Sequence, residues 1–470
     1  MNLPTEPSPL SLDPSRPIHL VGIGGAGMSA LASILLQRGL LVTGTDLRGG
    51  RETAALAAMG AQVTTGHDAA HLGDAGLVVV STAVPADNPE VVAAKDRGIP
   101  TVHRAQLLAA LMQGRRSILV AGTHGKTTTT SMLTVALQRA GMDPSFAIGG
   151  MIHEQGTSAH HGLGDLFVAE ADESDRSLLV YAPDCAIVTN AELDHHDEYA
   201  DLDAVLVAFE QFLSHRTPGA PAILCADDNG TRRLAGAAAG PVVTYGQTPD
   251  ADVQLTAVTL DGSGSRTVLR RDGAVIAELV LRLPGLHNLL NATAALIAAE
   301  WGGADVAAAT DGLLSFGGAQ RRFQRMGMAN GVTVVDDYAH HPTELAATLA
   351  AARQAALRGR LVAVFQPHRY SRTTALAEDL GRALAAADIA VVTDVYAAGE
   401  APVPGVTGQL VADAAAAAGV QTHYIPALTA VPAAVAELVS EGDLVLTMGA
   451  GDITLVGPLL LQALGGARPT

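Results

Sequence analysis

The chain has 470 residues, of which 48% are hydrophobic and 16% are charged, and its formal net charge is -18. A chain of this length exceeds a single hydrophobic core and predicts several globular domains. The negative charge argues against a nucleic-acid-binding protein, because phosphate backbones are bound by surfaces rich in Lys and Arg. An acidic enzyme can still bind phosphates locally, through backbone N–H groups and a few cations.

The cysteines and the first residues indicate a cytoplasmic protein. Cys185 and Cys225 lie in apolar, strand-like runs without a CxxC partner, which predicts buried free thiols in a reducing compartment. Residues 1–16 are rich in Pro and Ser and lack the apolar segment of a signal peptide, so we expect a disordered arm. The sequence contains no run of 18 apolar residues, so we expect no membrane segment.

Short β-branched runs alternate with alanine-rich helical segments, which is typical of α/β domains with mainly parallel sheets. After the arm, we predict domains over 17–113, 114–319 and 320–470. The elements predicted in the first domain are strands at Ile18–Val21, Leu41–Thr45 and Leu77–Val80, a helix ending near Arg38, and helices at Pro89–Arg97 and His103–Met112.

The central region differs from the others in one segment. Residues 251–283 alternate in polarity and contain Asp272-Gly273, a hairpin signal, so we predict a small antiparallel addition to a parallel sheet. The other predicted elements are strands Ser117–Ala121, Leu166–Ala169 and Ala186–Thr189 and helices Thr127–Ala140, His287–Trp301 and Val306–Ser315. In the third region they are strands 332–335, 361–365 and 389–395 and helices Pro342–Ala356 and Thr373–Ala387. The region closes with the segment HYIP at 423–426, a helix, the segment LVLTMG at 444–449 and a last helix.

The strongest motif is GTHGKT at residues 122–127, between a predicted strand and a predicted helix. A glycine-rich turn at this position directs backbone N–H groups and the positive helix end toward a phosphate. Lys126 can reach the outer phosphates, and the Thr127 hydroxyl is placed for Mg²⁺. The motif departs from the general P-loop pattern, because Val120 occupies the position of its first glycine. We predict an ATP site.

A second glycine-rich turn, GIGGAG at residues 22–27, follows the first strand, and Asp46 lies at the end of the next strand. This context predicts a loop that binds a pyrophosphate, with Asp46 near a ribose. The pattern does not distinguish NAD from a UDP-sugar.

Acidic and imidazole side chains follow two strands of the central region. EADESD occupies residues 170–175 and DHHD occupies residues 194–197. Carboxylates beside a triphosphate suit Mg²⁺, and Glu170, directly after its strand, is the favoured ligand. Asp172 and Asp175 fit either a metal site or a solvated acidic turn.

The third region carries DDYAHH at residues 336–341 and QPHRYSR at residues 366–372, each after a predicted strand. Open α/β sheets bind ligands at such strand ends. The two arginines and several histidines could hold an amino-acid carboxylate or a transferring phosphoryl group.

Ten motifs together cover nearly the whole chain in order: GIGGAGMSALA, GTHGKTTTT, EADESD, TNAELDHHDEY, HNLLNATAAL, RRFQ, DDYAHHPTE, FQPHRYSR, DVYAAGE and TMGAGD. They resemble the Mur ligase family, and in particular its members that join L-alanine to UDP-N-acetylmuramate in peptidoglycan synthesis. The resemblance implies an N-terminal Rossmann-like domain for the UDP-sugar, a central P-loop ATPase domain and a C-terminal Rossmann-like domain. It also implies that the muramoyl carboxylate attacks ATP to give an acyl phosphate, whose phosphate the alanine amine displaces.

The resemblance further implies roles for individual residues. The UDP-sugar would contact Gly22, Gly24, Gly25, Ala26, Gly27, Met28, Asp46, Ser81 and Arg104, with His67 nearby. ATP would contact Gly122, Thr123, His124, Gly125, Lys126, Thr127, Thr128, His287, Asn291, Arg322 and Asp337. Mg²⁺ would be held by Thr127, Glu170 and His195, and the amino acid by Tyr338, His340, Arg369 and Arg372. The catalytic groups would be Lys126, His195, His340, Arg369 and Arg372.

Two other functions fit part of the pattern. A ligase of the same family that adds a murein tripeptide to the same sugar nucleotide is the nearer alternative. A regulatory protein that binds NAD at the first loop and ATP at the second belongs to a different class. We expect a monomer or homodimer without a nucleic-acid or membrane partner.

Overall fold

The computed structural model describes residues 10–152, 155–196, 198–262, 264–356 and 359–465. The protein folds into three α/β domains, each built around its own sheet. The central strands are short runs of Val, Ile, Leu and Ala, and in β18 (Leu361–Phe365) every residue is buried. Such runs are apolar on both faces because helices cover both sides of a parallel sheet. The predicted three-domain α/β fold is therefore confirmed.

The first domain contains a five-stranded parallel sheet in the order β3-β2-β1-β4-β5. The strands are β1 (Ile18–Val21), β2 (Val42–Asp46), β3 (Gln62–Thr65), β4 (Leu77–Val80) and β5 (Thr101–His103). The helices are α1 (Ala26–Gln37), α2 (Arg51–Ala58), α3 (Pro89–Asp96) and α4 (Arg104–Met112), with a 3-10 turn at Ala69–Leu72. The order reverses between β1 and β4, so the loops after these two strands flank a crevice where such sheets bind ligands.

A buried carboxylate anchors the first domain beneath this crevice. Glu90 is fully buried and accepts hydrogen bonds from the Thr45 hydroxyl at 2.7 Å and from the Asp68 backbone N–H at 3.2 Å. The His19 and His67 rings lie 3.3 and 3.4 Å from its two oxygens. Burial acts to raise the pKa of Glu90, but the hydrogen bonds from His19 and Thr45 outweigh it and hold the pKa below its usual value. The charged carboxylate of Glu90 therefore connects α3 to β1, to β2 and to the segment that follows β3.

The central domain contains a ten-stranded sheet in the order β15-β14-β13-β12-β11-β10-β6-β9-β7-β8. Its strands are β6 (Arg116–Ala121), β7 (Ser145–Ile152), β8 (Thr157–His160), β9 (Leu166–Glu170), β10 (Cys185–Val188), β11 (Ala222–Cys225), β12 (Val242–Gly246), β13 (Val253–Asp261), β14 (Gly264–Arg271) and β15 (Ala274–Leu281). Its helices are α5 (Lys126–Arg139), α6 (Leu202–Ser214), α7 (Asn229–Ala237), α8 (Leu286–Gly302) and α9 (Val306–Ser315), with a 3-10 turn at Ser177–Val180. Cys185 and Cys225 are buried and unpaired, as predicted.

The predicted antiparallel addition is present as β13, β14 and β15. Asp272 and Gly273 join β14 to β15, and both have positive φ, at 52° and 77°. Two consecutive positive φ values define the type I′ turn that a two-residue hairpin favours, which is why Asp-Gly is a reliable signal here.

The C-terminal domain contains a six-stranded sheet in the order β16-β17-β21-β18-β19-β20, in which only β16 pairs antiparallel among the described strands. The remaining strands are β16 (Gln324–Ala329), β17 (Val332–Asp337), β19 (Ile389–Val392), β20 (Gln421–Tyr424) and β21 (Leu444–Met448). The helices are α10 (Pro342–Ala355), α11 (Tyr370–Leu384), α12 (Gln409–Ala417), α13 (Val431–Leu438) and α14 (Val456–Ala463), with 3-10 turns at Leu428–Ala430 and Asp452–Leu455.

Some elements are absent from the predicted set, namely α2, β3, β5, β7, β8, α6, α7, β12, β16 and α12. β3 is an edge strand of the sequence QVTT whose side chains are largely exposed, so it carries no apolar alternation. β7 contains two consecutive glycines, which weaken a strand signal. The short helices α2 and α7 each bury a single large apolar side chain, Leu56 and Leu234, so they give only a weak sequence signal.

The predicted disordered arm is wrong for its last residues. Residues 1–9 lie outside the described part of the chain, but Leu10 and Leu12 pack against an apolar core that the first and central domains share. The Arg16 guanidinium donates a hydrogen bond to the carbonyl of Ala75 at 2.7 Å. Apolar residues spaced along the Pro/Ser-rich segment therefore dock it on the domain. Among the described helices, none combines the length and the apolar character needed to cross a membrane.

We predict that Glu90→Ala destabilises the first domain. The substitution leaves His19, His67 and the Thr45 hydroxyl without their buried acceptor, and loss of one partner from a buried charge network costs about 3–5 kcal/mol. In hydrogen–deuterium exchange, the free energy of opening measured for the amides of β1 and β4 should fall by about that amount. The exposed Asp96 on the same helix provides the control, since Asp96→Ala should change exchange by less than about 0.5 kcal/mol. Equal exchange in both variants would contradict the anchoring role.

Candidate functional site

The turn at residues 22–25 joins β1 to α1 and opens a cavity at the crevice of the first sheet. α1 begins at Ala26 after Gly25, so the free N–H groups and positive end of a 12-residue helix face this cavity. Gly24 donates its N–H to an Asp46 carboxylate oxygen at 2.9 Å. A Cβ at Gly24 would lie 2.9 Å from the same oxygen, so a larger residue there would displace the Asp46 carboxylate. Asp46 therefore braces the loop as well as lining the cavity.

This N-terminal cavity has a volume of about 670 Å³. The predicted UDP-sugar residues that line it are Gly22, Gly25, Ala26, Gly27, Met28, Asp46, Ser81 and Arg104, and His67 lines it too. Gly24 is the exception, because it faces Asp46. Positions that are distant in the sequence thus meet at one crevice, because they follow the carboxyl ends of the parallel strands β1 to β5.

Arg104 connects the first domain to the central one. Its guanidinium lies 3.3 Å from Asp172 and 3.3 Å from Asp175, both in the turn after β9. The Thr82 hydroxyl also donates to Asp175, at 3.4 Å. Asp172 and Asp175 therefore pair with a cation at the domain boundary and are not simply a solvated acidic turn.

The ATP-loop candidate, residues 122–127, joins β6 to α5. Gly122 and Gly125 have φ of 128° and 84°, and a Cβ on Gly125 would lie 2.8 Å from the Asn291 side-chain oxygen. The Asn190 side chain supports the loop by accepting from the His124 N–H at 2.8 Å. The Thr123 hydroxyl donates to the Glu192 carbonyl at 3.1 Å. Gly122 and Thr123 therefore shape the loop, while His124 to Thr127 face the space above it.

Lys126 is held by a carboxylate that the sequence interpretation did not single out. Its ammonium lies 2.7 and 2.9 Å from the two oxygens of Glu173 and donates to the Gly122 carbonyl at 2.7 Å. Glu173 is 2% exposed, and burial raises its pKa to about 7 although the Lys126 charge acts to lower it. Burial acts to lower the pKa of Lys126, but the charges of Glu173 and Asp172 raise it above its usual value. The Glu173 carboxylate thus compensates the positive charge of Lys126 inside the loop.

The three predicted metal ligands surround the same space. The Thr127 hydroxyl donates to a Glu170 oxygen at 3.2 Å, and the other Glu170 oxygen accepts the Gly149 N–H at 2.7 Å. Burial raises the pKa of Glu170. The His195 ring lies 3.6 Å from Glu173 rather than beside Glu170, and burial lowers its pKa, which favours the neutral imidazole that ligates metals. Asp197 lies outside the described residues.

A distal cavity of about 240 Å³ lies on the far side of the ATP loop. Its lining includes seven of the predicted nucleotide residues: His124, Gly125, Thr128, His287, Asn291, Arg322 and Asp337. Burial lowers the pKa of His287 to about 4, so its ring is neutral at pH 7. Asp337 accepts the backbone N–H groups of Ala339 and Phe323 at 2.8 and 2.7 Å, so it also holds the loop after β17.

A middle cavity of about 520 Å³ is lined by all three domains. Its lining includes Ala26 from the first domain, Lys126, Thr127, Glu170, Asp194 and His195 from the central domain, and Arg322, Tyr338, His340, Arg369 and Arg372 from the C-terminal domain. All four residues predicted to bind the amino acid are therefore brought beside the ATP loop.

Arg372 crosses from the C-terminal domain to the central one. Its guanidinium donates to both oxygens of Asp194, at 2.7 and 3.0 Å, and approaches the His368 ring at 3.2 Å. Both partners of the ion pair are buried, at 5% and 4% exposure. Burial acts to raise the pKa of Asp194, but the Arg372 charge outweighs it and holds the pKa well below its usual range. The nearby His340 is neutral, because burial lowers its pKa to about 4.

The three cavities adjoin one another. Ala26, Gly149, Glu170 and Asp172 line both the N-terminal and the middle cavity. His124, Gly125, Arg322 and Glu344 line both the middle and the distal cavity. The arrangement provides one continuous path, with a glycine loop at one end, a lysine and carboxylates in the middle and the smaller distal cavity at the other end.

Three acidic residues of the site were missed by the sequence interpretation: Glu173, Glu192 and Glu344. Glu344 lies 3.3 Å from His124, 3.2 Å from His340 and 3.8 Å from Arg322. Its position after Pro342 and Thr343 indicated only the start of a helix. Its ion pair with His124 joins two domains, so this second role of Glu344 becomes visible only in the folded structure.

Comparisons with known proteins agree with this architecture. Family models match three consecutive stretches: "Mur ligase family, catalytic domain" matches residues 17–116, "Mur ligase middle domain" residues 120–299, and "Mur ligase, glutamate ligase domain" residues 321–451. A UDP-N-acetylmuramate–L-alanine ligase of Acidothermus cellulolyticus is 51% identical over 460 residues, which cover 97% of this chain and 96% of that protein.

Two solved structures are similar along the whole chain. A UDP-N-acetylmuramate–alanine ligase from Thermotoga maritima aligns with a TM-score of 0.80 and 30% identity, covering 95% of this chain and 98% of that one. A murein peptide ligase from Psychrobacter arcticus aligns with a TM-score of 0.71 and 26% identity, covering 97% and 100%. With three matching domains in order and relatives aligned from end to end, the chain belongs to the Mur ligase family.

Proposed function

We propose that the protein is an ATP-dependent ligase that joins L-alanine to the carboxylate of UDP-N-acetylmuramate in peptidoglycan synthesis. The observation that carries the proposal is the continuous path of three cavities in a chain that is 51% identical to an L-alanine ligase over almost its full length. A ligase of two substrates needs one site for each and a shared space for the phosphoryl transfer. We also propose domain boundaries at 113/114 and 319/320 and a cytoplasmic location.

The N-terminal cavity suits the UDP-sugar. The free end of α1 and the glycine turn offer N–H groups to a pyrophosphate, as in other glycine loops at the start of a helix. The muramoyl carboxylate then lies toward Ala26 and Glu170, where this cavity meets the middle one. The distal cavity suits the adenosine of ATP, so that the triphosphate runs along the loop at residues 122–127.

The residues beside the ATP loop fit Mg²⁺. Thr127 and Glu170 offer two oxygen ligands within 3.2 Å of each other, and Mg²⁺ prefers a few carboxylate or hydroxyl ligands together with water and phosphate oxygens. His195 lies on the other side of Glu173 and would complete a second position. When bound, Mg²⁺ would neutralise charge that develops on the phosphoryl oxygens.

The chain's own residues would perform the remaining work. Lys126 would exchange Glu173 for the outer phosphates and stabilise the charge that develops as the carboxylate attacks. Arg369, Tyr338 and His340 would hold the L-alanine so that its amine faces the acyl phosphate. The Arg372 guanidinium already binds Asp194 and His368, so we assign it the positioning of the C-terminal domain rather than direct contact with the amino acid.

We expect ADP release to require UDP-N-acetylmuramate together with L-alanine, because both substrates feed one reaction path. An assay that offers L-alanine or a murein tripeptide to the same UDP-sugar separates the proposal from the tripeptide-ligase alternative. The solved L-alanine ligase is also the closer of the two structural relatives described above, at a TM-score of 0.80 against 0.71. Tripeptide-dependent turnover without L-alanine turnover would overturn the proposal. Tight NAD binding without UDP-N-acetylmuramate binding would favour the regulatory protein.

Lys126→Ala should lower the rate of ADP formation by at least about 100-fold, because a charge that stabilises the transition state is removed. Affinity for UDP-N-acetylmuramate, measured by calorimetry, should remain, since Lys126 does not line the N-terminal cavity. Glu173 can take up a proton once its partner is gone, so the fold should survive. Lys95→Ala, on the exposed end of α3, is the matched control. ADP formation at the wild-type rate in Lys126→Ala would contradict the assignment.

Glu170→Gln and His195→Ala should each raise the Mg²⁺ concentration for half-maximal rate by about 10–100-fold or more, the range that loss of supporting contacts alone can produce. Mg²⁺ titrations of both variants and of Glu198→Gln would test this. Glu198 pairs with Arg176 outside the middle cavity, so its variant should titrate like the wild type. Superimposable curves for all three variants would show that the metal assignment is wrong.

A further inference from the structure

Two histidines and a glutamate meet where the C-terminal domain contacts the ATP loop. His124 belongs to that loop, Glu192 follows β10, and His341 precedes α10. The His124 Nε2 and the His341 Nδ1 lie 3.5 and 3.8 Å from the same Glu192 oxygen, Oε2. One ligand atom from each of the three residues lies within 4.8 Å of the other two. The rings of His124 and His341 are 4.7 Å apart, and both domains contribute to the cluster.

Two of these nitrogen atoms lack a hydrogen-bond partner within the described part of the chain. His124 Nε2 and His341 Nδ1 are both buried, and His341 is only 6% exposed. Buried polar atoms are almost always hydrogen-bonded, so each exception calls for a bound group or another explanation. The two atoms without a hydrogen bond are those that lie 3.5 and 3.8 Å from Glu192 Oε2.

Two of the three ligand spacings are close to those of a tetrahedral metal. Zinc binds imidazole nitrogen and carboxylate oxygen at about 2.0–2.2 Å, which separates neighbouring ligand atoms by about 3.4 Å in a tetrahedron. The observed separations of 3.5 and 3.8 Å from Glu192 need only a small adjustment. Mg²⁺ fits poorly here, because it prefers octahedral oxygen ligands, whereas imidazole suits zinc-class metals.

The outer contacts also resemble those of a metal site. His124 points its other nitrogen, Nδ1, at a Glu344 oxygen 3.3 Å away, and ligating histidines usually donate this second N–H to a carboxylate. The Thr343 hydroxyl donates to Glu192 Oε2 at 2.6 Å, so the ligating carboxylate is oriented as well. Both supporting residues lie in the first turn of α10.

We propose that His124, Glu192 and His341 bind a zinc-class divalent cation, with water at a fourth position, and that this cation clamps the C-terminal domain onto the ATP loop. The site is separate from the Mg²⁺ ligands Thr127 and Glu170. Metal binding needs neutral imidazoles, so any proton on either ring must leave when the cation binds. His124 and Glu192 also line the distal cavity, the proposed adenosine site. The bound cation would therefore hold the wall of that cavity in one arrangement.

Titration of the metal-free, full-length chain with Co²⁺ tests the proposal, because four-coordinate Co²⁺ with imidazole ligands absorbs visible light far more strongly than six-coordinate Co²⁺. We expect one equivalent to give the four-coordinate spectrum, unaffected by excess Mg²⁺. His341→Ala and Glu192→Gln should each raise the dissociation constant at least about tenfold. Glu170→Gln should retain the spectrum, which separates this site from the Mg²⁺ site.

His160→Ala is the matched control, since His160 is an exposed histidine 3.0 Å from Asp143 in the central domain and should bind Co²⁺ like the wild type. Zn²⁺ should raise the melting temperature of the wild type but not of Glu192→Gln, a variant that keeps the size of the side chain. Absence of the four-coordinate spectrum from the wild type would overturn the proposal. So would an undiminished spectrum in both site variants, whose fold is checked by circular dichroism.

Discussion

The buried ion pair between Arg372 and Asp194 fixes the C-terminal domain against the central domain. Loss of one partner from such a pair costs about 3–5 kcal/mol, because the other charge stays buried without compensation. A contact of this kind tolerates little sliding, since the guanidinium reaches both carboxylate oxygens at once. The presence of Tyr338, His340 and Arg369 in the middle cavity depends on that fixed position. The active arrangement is therefore a property of two domains together rather than of either one.

Each sheet contributes to the site through the loops at the carboxyl ends of its strands. The turns after β1, β6, β9, β10, β17 and β18 all reach one of the three adjoining cavities. Parallel strands place their loops at one edge, so three parallel sheets can direct three sets of polar side chains at a common space. The carboxylates Asp172 and Asp175 then join the first domain to the central one through Arg104. Domain contacts and ligand contacts thus come from the same short turns.

The sequence was sufficient to predict the structure at positions where a local backbone constraint determines the conformation. The loops at residues 22–25 and 122–127 were predictable because the backbone there needs glycine, and the Asp272-Gly273 hairpin because its turn needs positive φ. The roles of residues whose partners are distant in the chain could not be predicted in this way. Glu173 is 47 residues from Lys126, and Glu344 acts on His124 across a domain boundary. The docking of Leu10 and Leu12 was missed for the same reason, since composition describes a segment but not the surface that receives it.

The pairing of Lys126 with Glu173 makes the ATP loop selective before any ligand arrives. An anion that enters the loop must displace a carboxylate already bound to the ammonium at 2.7 Å. A single phosphate brings little more than the contact it replaces, so it gains almost nothing by entering. A triphosphate that also engages the loop N–H groups and the distal cavity gains several contacts for the one it breaks. Glu173 therefore competes with an incoming anion for Lys126, and this competition would favour a triphosphate over a small anion.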